Sequence, residues 1–202
     1  EKQIVFSKSI FKNIEVPKVH HMEVFYFDMD YVSGQNFDEF FSIASVNDVE
    51  FIVSTLFDYF DELISTARNF NATNKILSKI DTLKEKTSHI KYIEFLRKYV
   101  ENNSIIVPHT FCHGDLTFSN VIFHKNRLFF IDFLDCYVDT FLSDLVKLKQ
   151  DLHHLWAVQN QNVYSVRIHQ IYQYIWDKLE SRYEPFMNES FHVLDVLNTL
   201  RI

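Results

Sequence analysis

Gly34 and Gly114 are the only glycines in a chain of 202 residues. Glycine is the residue that reaches positive φ, or lets another backbone come close, without steric penalty. With two of them there is no room for a glycine-rich loop anywhere. Gly34 follows an apolar, aromatic stretch and is expected to take a positive φ at the end of a strand pair. Gly114 lies in "FCHGDLTFSNVIFHKNRLFFIDFLD", residues 111–135. There the helical spacing of apolar residues breaks off. "SIIVPHTFCHGD" and "VIFHKNRLFFIDF" read as short β segments around a loop, with Lys125-Asn126 as a turn.

The rest of the chain is mostly helical in pattern. Residues 2–13 predict a short helix ending before Pro17. "VPKVHHMEVFYFDMDYV" predicts strands around 19–24 and 25–31. "FDEFFSI" is a short helix. "NDVEFIVSTLFDYFDELISTARNF" is a long one, with Phe51, Ile52, Leu56, Tyr59, Phe60, Leu63 and Ile64 recurring at three and four. Asn47 and Asp48 are its expected N-caps, with Glu50 in reach of a capping box. "NKILSKIDTLKEK", "IKYIEFLRKYVEN" and residues 141–157, 162–182 and 189–201 complete the helical set. No internal repeat and no low-complexity tract interrupts it.

Composition narrows the function classes. Apolar residues make up 47% of the chain, too many for a disordered one. The 21 phenylalanines predict a large aromatic core. The formal charge of −7 argues against nucleic acid as a partner, since that needs a broad basic surface. Cys112 and Cys136 form no CxxC and no disulfide framework, so a reduced, cytoplasmic protein is expected. No apolar run approaches the ~18–20 residues of a membrane span. The chain begins at Glu1 rather than Met and stops in the apolar "VLDVLNTLRI", so both ends are expected to be cut.

Phosphoryl transfer asks for a carboxylate that orients an acceptor hydroxyl and for Mg²⁺ on the phosphates. Magnesium takes hard oxygens from carboxylates, amides, phosphate and water. Asp115, Asn120 five residues on, and Asp132 after the apolar run 128–131 supply such a set. A hairpin over 121–131 would bring Asn120 and Asp132 together. The order His-x-Asp-x₄-Asn followed by Asp is that of the protein-kinase catalytic loop. Neither DFG nor an APE-type segment appears after Asp132, which argues against a protein kinase.

"FCHGDLTFSNVIF", "LFFIDFLD" and "SDLVKLKQD", in this order, resemble the aminoglycoside phosphotransferase and choline/ethanolamine kinase family, from about residue 1 to residue 156. The resemblance implies an α+β, protein-kinase-like fold. Residues 1–34 would be the incomplete end of a β-rich N-terminal lobe and its hinge, and residues 35–202 a helical C-terminal lobe carrying the catalytic loop. It implies that Asp115 is the catalytic base, His113 braces the loop, and Asn120 and Asp132 hold Mg²⁺. Met29 would stand at the gatekeeper position, and the backbone of Asp30 and Val32 would bind the base of ATP or GTP. Asp144 would match a later, structural Asp. The acceptor would be a hydroxyl of a small molecule such as an amino alcohol, a sugar or an aminoglycoside.

The departures from the family pattern are specific. No glycine-rich loop and no strand Lys precede the first helix, and Glu1 falls where the family's helix Glu would lie. Two other readings follow: a pseudokinase-type nucleotide- or ligand-binding module, and a metal-dependent phosphohydrolase acting on water. A zinc site from His109, His113 and Asp115 is a further possibility, weakened because these residues share no helix face. Asp135 and Asp139 fit either a cationic substrate or a helix N-terminus. Lys147 and Lys149 read as solvated, His20-His21 and His153-His154 as surface residues, and Trp156 and Trp176 as core. An open edge on the sheet at 19–31 would favour a homodimer.

Overall fold

The computed structural model describes residues 2–7, 11–23, 26–85, 90–160 and 165–199. Helix α1 (Lys2–Phe6) leads to β1 (Ile14–Glu15), β2 (Val19–Met22) and β3 (Phe27–Met29). Helices α2 (Phe37–Ile43) and α3 (Val46–Ser65) follow, then β4 (Arg68–Asn71), α4 (Thr73–Lys84), α5 (Ile90–Asn102) and β5 (Ile106–His109). The hairpin β6 (Val121–His124) and β7 (Arg127–Phe130) precedes α6 (Phe141–Leu152), α7 (Trp156–Asn160), α8 (Val166–Tyr183) and α9 (Glu189–Thr199). Helices dominate and the sheets are small. Among the described residues, no helix is long and apolar enough to cross a membrane.

The sheets bind distant parts of the chain to the stretch around Gly114. β6 and β7 pair antiparallel with Val121 opposite Phe130, and β1 joins β7 in parallel with Ile14 opposite Leu128. Lys125 takes the left-handed turn of the hairpin at φ 53°. β2 and β3 form a separate antiparallel pair, and β5 pairs with β4. The core is aromatic, as 21 phenylalanines require. Phe6 of α1 packs on Phe11, Phe111, Phe130 and Phe133, so the first helix seats directly on the strands that carry the site.

Several expected boundaries shift for identifiable reasons. The first helix stops at Phe6, and Asn13 turns the chain at φ 62°, a conformation Asn tolerates, to deliver Ile14 to β7. Residues 8–10 and Glu1, with its expected helix-Glu role, lie outside the described residues. The long helix is capped by Ser45, not Asn47 or Asp48; the Ser45 hydroxyl accepts from Asp48 N while the Asp48 carboxylate accepts from Ser45 N. It ends at Ser65, and Arg68–Asn71 is a strand, because its pairing with β5 satisfies a backbone that no Gly or Pro had marked as broken. Leu155 at φ 57° separates α6 from α7 and turns Trp156 outward, 38% exposed, whereas Trp176 is buried.

Gly34 is needed for a different reason than expected. Its φ is not positive. Gln35 and Phe123 exchange both backbone hydrogen bonds at 2.8 Å, and a Cβ on Gly34 would stand 2.5 Å from Ile122 Cγ2. Close approach to β6, rather than a turn, selects glycine there.

Candidate active site

The loop between β5 and β6 carries His113, Gly114, Asp115 and Asn120, and α6 grips it from below. Asp144, fully buried on α6, accepts from His113 N at 2.7 Å, Gly114 N at 2.8 Å and the Tyr59 hydroxyl at 2.8 Å. Burial pushes its carboxyl up to about 6, against the pull of these three donors. Two turns on, buried Asp151 accepts from Phe118 N at 2.6 Å and Ala157 N at 3.1 Å, and burial likewise pushes it up to about 6. Gly114 sits at φ 94°, and a Cβ there would lie 2.1 Å from Leu134 O. Positive φ and contact with the 131–136 segment together require glycine at this point.

His113 is buried and all its polar groups are spoken for. Its N–H binds Asp144, its carbonyl accepts from Leu134 N at 3.0 Å, and its ring packs tilted against Phe133 with centroids 4.2 Å apart. Nε2 lies 2.8 Å from Ile131 O, an acceptor only, so Nε2 carries the proton; Nδ1 accepts from Asp115 N at 3.2 Å. Burial pushes the imidazole down to about 4. The ring is thus neutral and ties Asp115 to Ile131, the neighbour of Asp132. We expect His113 to stay neutral, protonated on Nε2, down to about pH 5, with a midpoint near 4 in a ¹⁵N NMR titration. The unfolded chain takes up this proton below about 6.5, so its contribution to stability declines as pH falls from there towards 4. A midpoint above 6 would mean that the ring is not held as described.

Asp115, Asn120 and Asp132 line one cavity of about 440 Å³, together with Lys2, Gln3, Val19, Phe27 and Phe133. Asn120 Nδ2 donates to Asp115 O at 2.8 Å and to its Oδ2 at 3.2 Å, which turns the amide oxygen away from Asp115. Ile131 N donates to Asn120 O at 3.1 Å, so the hairpin closes with Asn120 and Asp132 at its two ends. Asp132 is exposed and stands at φ 58°, a position that costs a non-glycine residue strain and recurs at functional sites. An amide oxygen and an exposed carboxylate are hard ligands, suited to Mg²⁺ rather than to a thiophilic ion.

Residues 57–182 match a family model described as the phosphotransferase enzyme family. The chain belongs to this family. No curated protein matches it. The matched segment covers more than half of the chain and contains the loop, the hairpin and α6 of this kinase-like phosphotransferase.

The expected base-binding residues are placed apart from the acidic set. Asp30 and Val32 line a different cavity, of about 620 Å³, with Pro17, His124 and Phe129. Asp30 N already donates to Lys18 O at 2.9 Å, so only its carbonyl remains for a base. Met29 lines neither cavity; it is 38% exposed with Gln3 Nε2 at its sulfur.

Other expectations are corrected. Lys147 is not solvated: its Nζ lies 3.0 Å from Asp115 Oδ1, and Lys149 pairs with Asp195. Asp139 directly precedes Thr140, the N-cap of α6, and its carboxylate is paired with Lys2 Nζ at 2.9 Å; the same ammonium donates to Leu134 O at 3.0 Å. The histidine-based zinc reading fails because both His113 nitrogens are engaged. Among the described residues the group close enough to hold a metal is Cys112, Cys136 and Asp139, and the Lys2 ammonium already sits beside it, 3.4 Å from Cys112 Sγ. Sequence reasoning missed Asp151 and the pairing of Lys147. The spacing of 144, 147 and 151, one face of a helix, was the available signal.

Proposed function

We propose that this phosphotransferase moves the γ-phosphoryl of ATP or GTP to a hydroxyl of a small molecule, an amino alcohol, sugar or aminoglycoside, in a Mg²⁺-dependent reaction. The observation that carries the reading is the convergence of Asp115, Asn120 and Asp132 on one cavity, with Asn120 hydrogen-bonded to Asp115. In this reading Asp115 accepts the proton of the acceptor hydroxyl and aims its oxygen at phosphorus. Asn120 and Asp132 would hold the metal, which would supply positive charge to the phosphates. His113 fixes the backbone between the two acids, and the base would lie in the separate cavity lined by Asp30 and Val32, against the Asp30 carbonyl and the Val32 N–H.

The test is calorimetric titration with ATP and GTP, with and without Mg²⁺, on the full-length protein, followed by a screen of hydroxyl compounds. We expect Mg²⁺-dependent binding that loses its metal dependence in Asp132→Ala. Absence of nucleotide binding under all conditions would sink the reading.

A further inference from the structure

The loop sequence HGDLTFSN, residues 113–120, contains no Lys or Arg. Phosphoryl transfer places charge on the oxygens of the moving group, and catalysis is mostly positioning and electrostatic stabilisation. A cation serving Asp115 must therefore come from outside the loop. Among the described residues, two lysines approach. Lys2 is committed to Asp139 and Leu134 O. Lys147 is not: its Nζ meets Asp115 Oδ1 at 3.0 Å, with the lysine side chain 14% and the aspartate 28% exposed.

The helix geometry explains how it arrives. Asp144, Lys147 and Asp151 share one face of α6, and all three reach the same loop. The two aspartates hold backbone N–H groups and so build the loop. Of the three, Lys147 alone touches a side chain of the loop, and that side chain is the one at the cavity. The pair is largely shielded, so removing the lysine would leave a partly buried carboxylate with Asn120 as its remaining side-chain partner, while ordering the lysine costs ~2 kcal/mol of rotamer entropy.

We propose that Lys147 is a positioning residue for phosphoryl transfer. It clamps Asp115 through Oδ1 while Asn120 binds at Oδ2, so that the carboxylate has one orientation towards the acceptor hydroxyl, and it brings to the site the positive charge that the loop lacks. This rests on the phosphotransfer reading above.

The experiment compares Lys147→Met, Lys147→Arg and Asp115→Asn with the natural full-length protein. The signal is γ-phosphate loss from Mg-ATP or Mg-GTP, to water or to whichever hydroxyl compound the screen yields. In Lys147→Met we expect kcat to fall about 100-fold, the cost of a misplaced catalytic group. The nucleotide KM should stay within about threefold, because the lysine acts on the transition state rather than on binding. The thermal midpoint should stay within about 4 °C. Lys147→Arg, which keeps the charge, should recover at least tenfold of the loss (about 1.4 kcal/mol). If Lys147→Met keeps kcat, or loses only stability, while Asp115→Asn is inactive, the lysine is structural and the inference fails alone. If the natural protein turns over no nucleotide, or Asp115→Asn is as active as the natural protein, the phosphotransfer reading fails and takes the inference with it.

Discussion

Asp115→Asn should lower the rate of γ-phosphoryl transfer by about 10²–10⁴-fold, the range that general-base catalysis supplies. The amide keeps the shape of the carboxylate but cannot accept the acceptor's proton. The side chain is 28% exposed and its partners are Lys147 and Asn120, so the loop does not depend on it for folding. The backbone is held instead by Asp144, Asp151 and the His113 ring. Nucleotide affinity with Mg²⁺ should therefore remain within a few-fold, and the loss should appear in kcat. Asp132→Asn should behave differently, weakening the metal dependence of binding before it changes the chemistry. Steady-state kinetics beside calorimetry on both variants separates the two acids. An Asp115→Asn protein within tenfold of the natural rate would show that the proton goes elsewhere.

The parts of this site that a single sequence disclosed are those whose partners lie nearby in the chain. His113, Asp115, Asn120 and Asp132 fall within twenty residues, joined by one loop and one hairpin, so spacing alone brought them together. Lys147 reaches Asp115 across thirty-two residues, and Lys2 reaches Asp139 across 137; no local pattern encodes either contact. Gly34 was noticed for the right residue and the wrong reason, because close approach to Ile122 is a tertiary fact. β4 was hidden for a related reason: Phe70 continues the helical spacing of α3, and only the pairing with β5 decides for a strand. The structural role of Asp144 followed only from the family resemblance, and its three donors come from α3 and from the loop itself.

Those three donors make Asp144 a costly position at which to truncate the fold. Asp144→Ala should destabilise the protein by about 3–5 kcal/mol in urea or thermal unfolding, since each buried donor left without an acceptor costs about 1–3 kcal/mol. The carboxylate itself is expensive to bury, as its rise to about 6 shows. Its removal therefore recovers part of that cost, and the net loss is smaller than the sum of three orphaned donors. Asp144→Asn tests the argument more closely. Its amide oxygen can still accept, but its NH₂ must face Gly114 N, His113 N or the Tyr59 hydroxyl; Tyr59 alone can reverse its role and accept. The asparagine should thus lose less than the alanine, and adding Tyr59→Phe should cost it more than it costs the natural protein. Because the same carboxylate fixes the backbone on either side of Gly114, both substitutions should also slow turnover of the folded fraction. A loss below about 1 kcal/mol in Asp144→Ala would mean that the loop holds its shape without the helix beneath it.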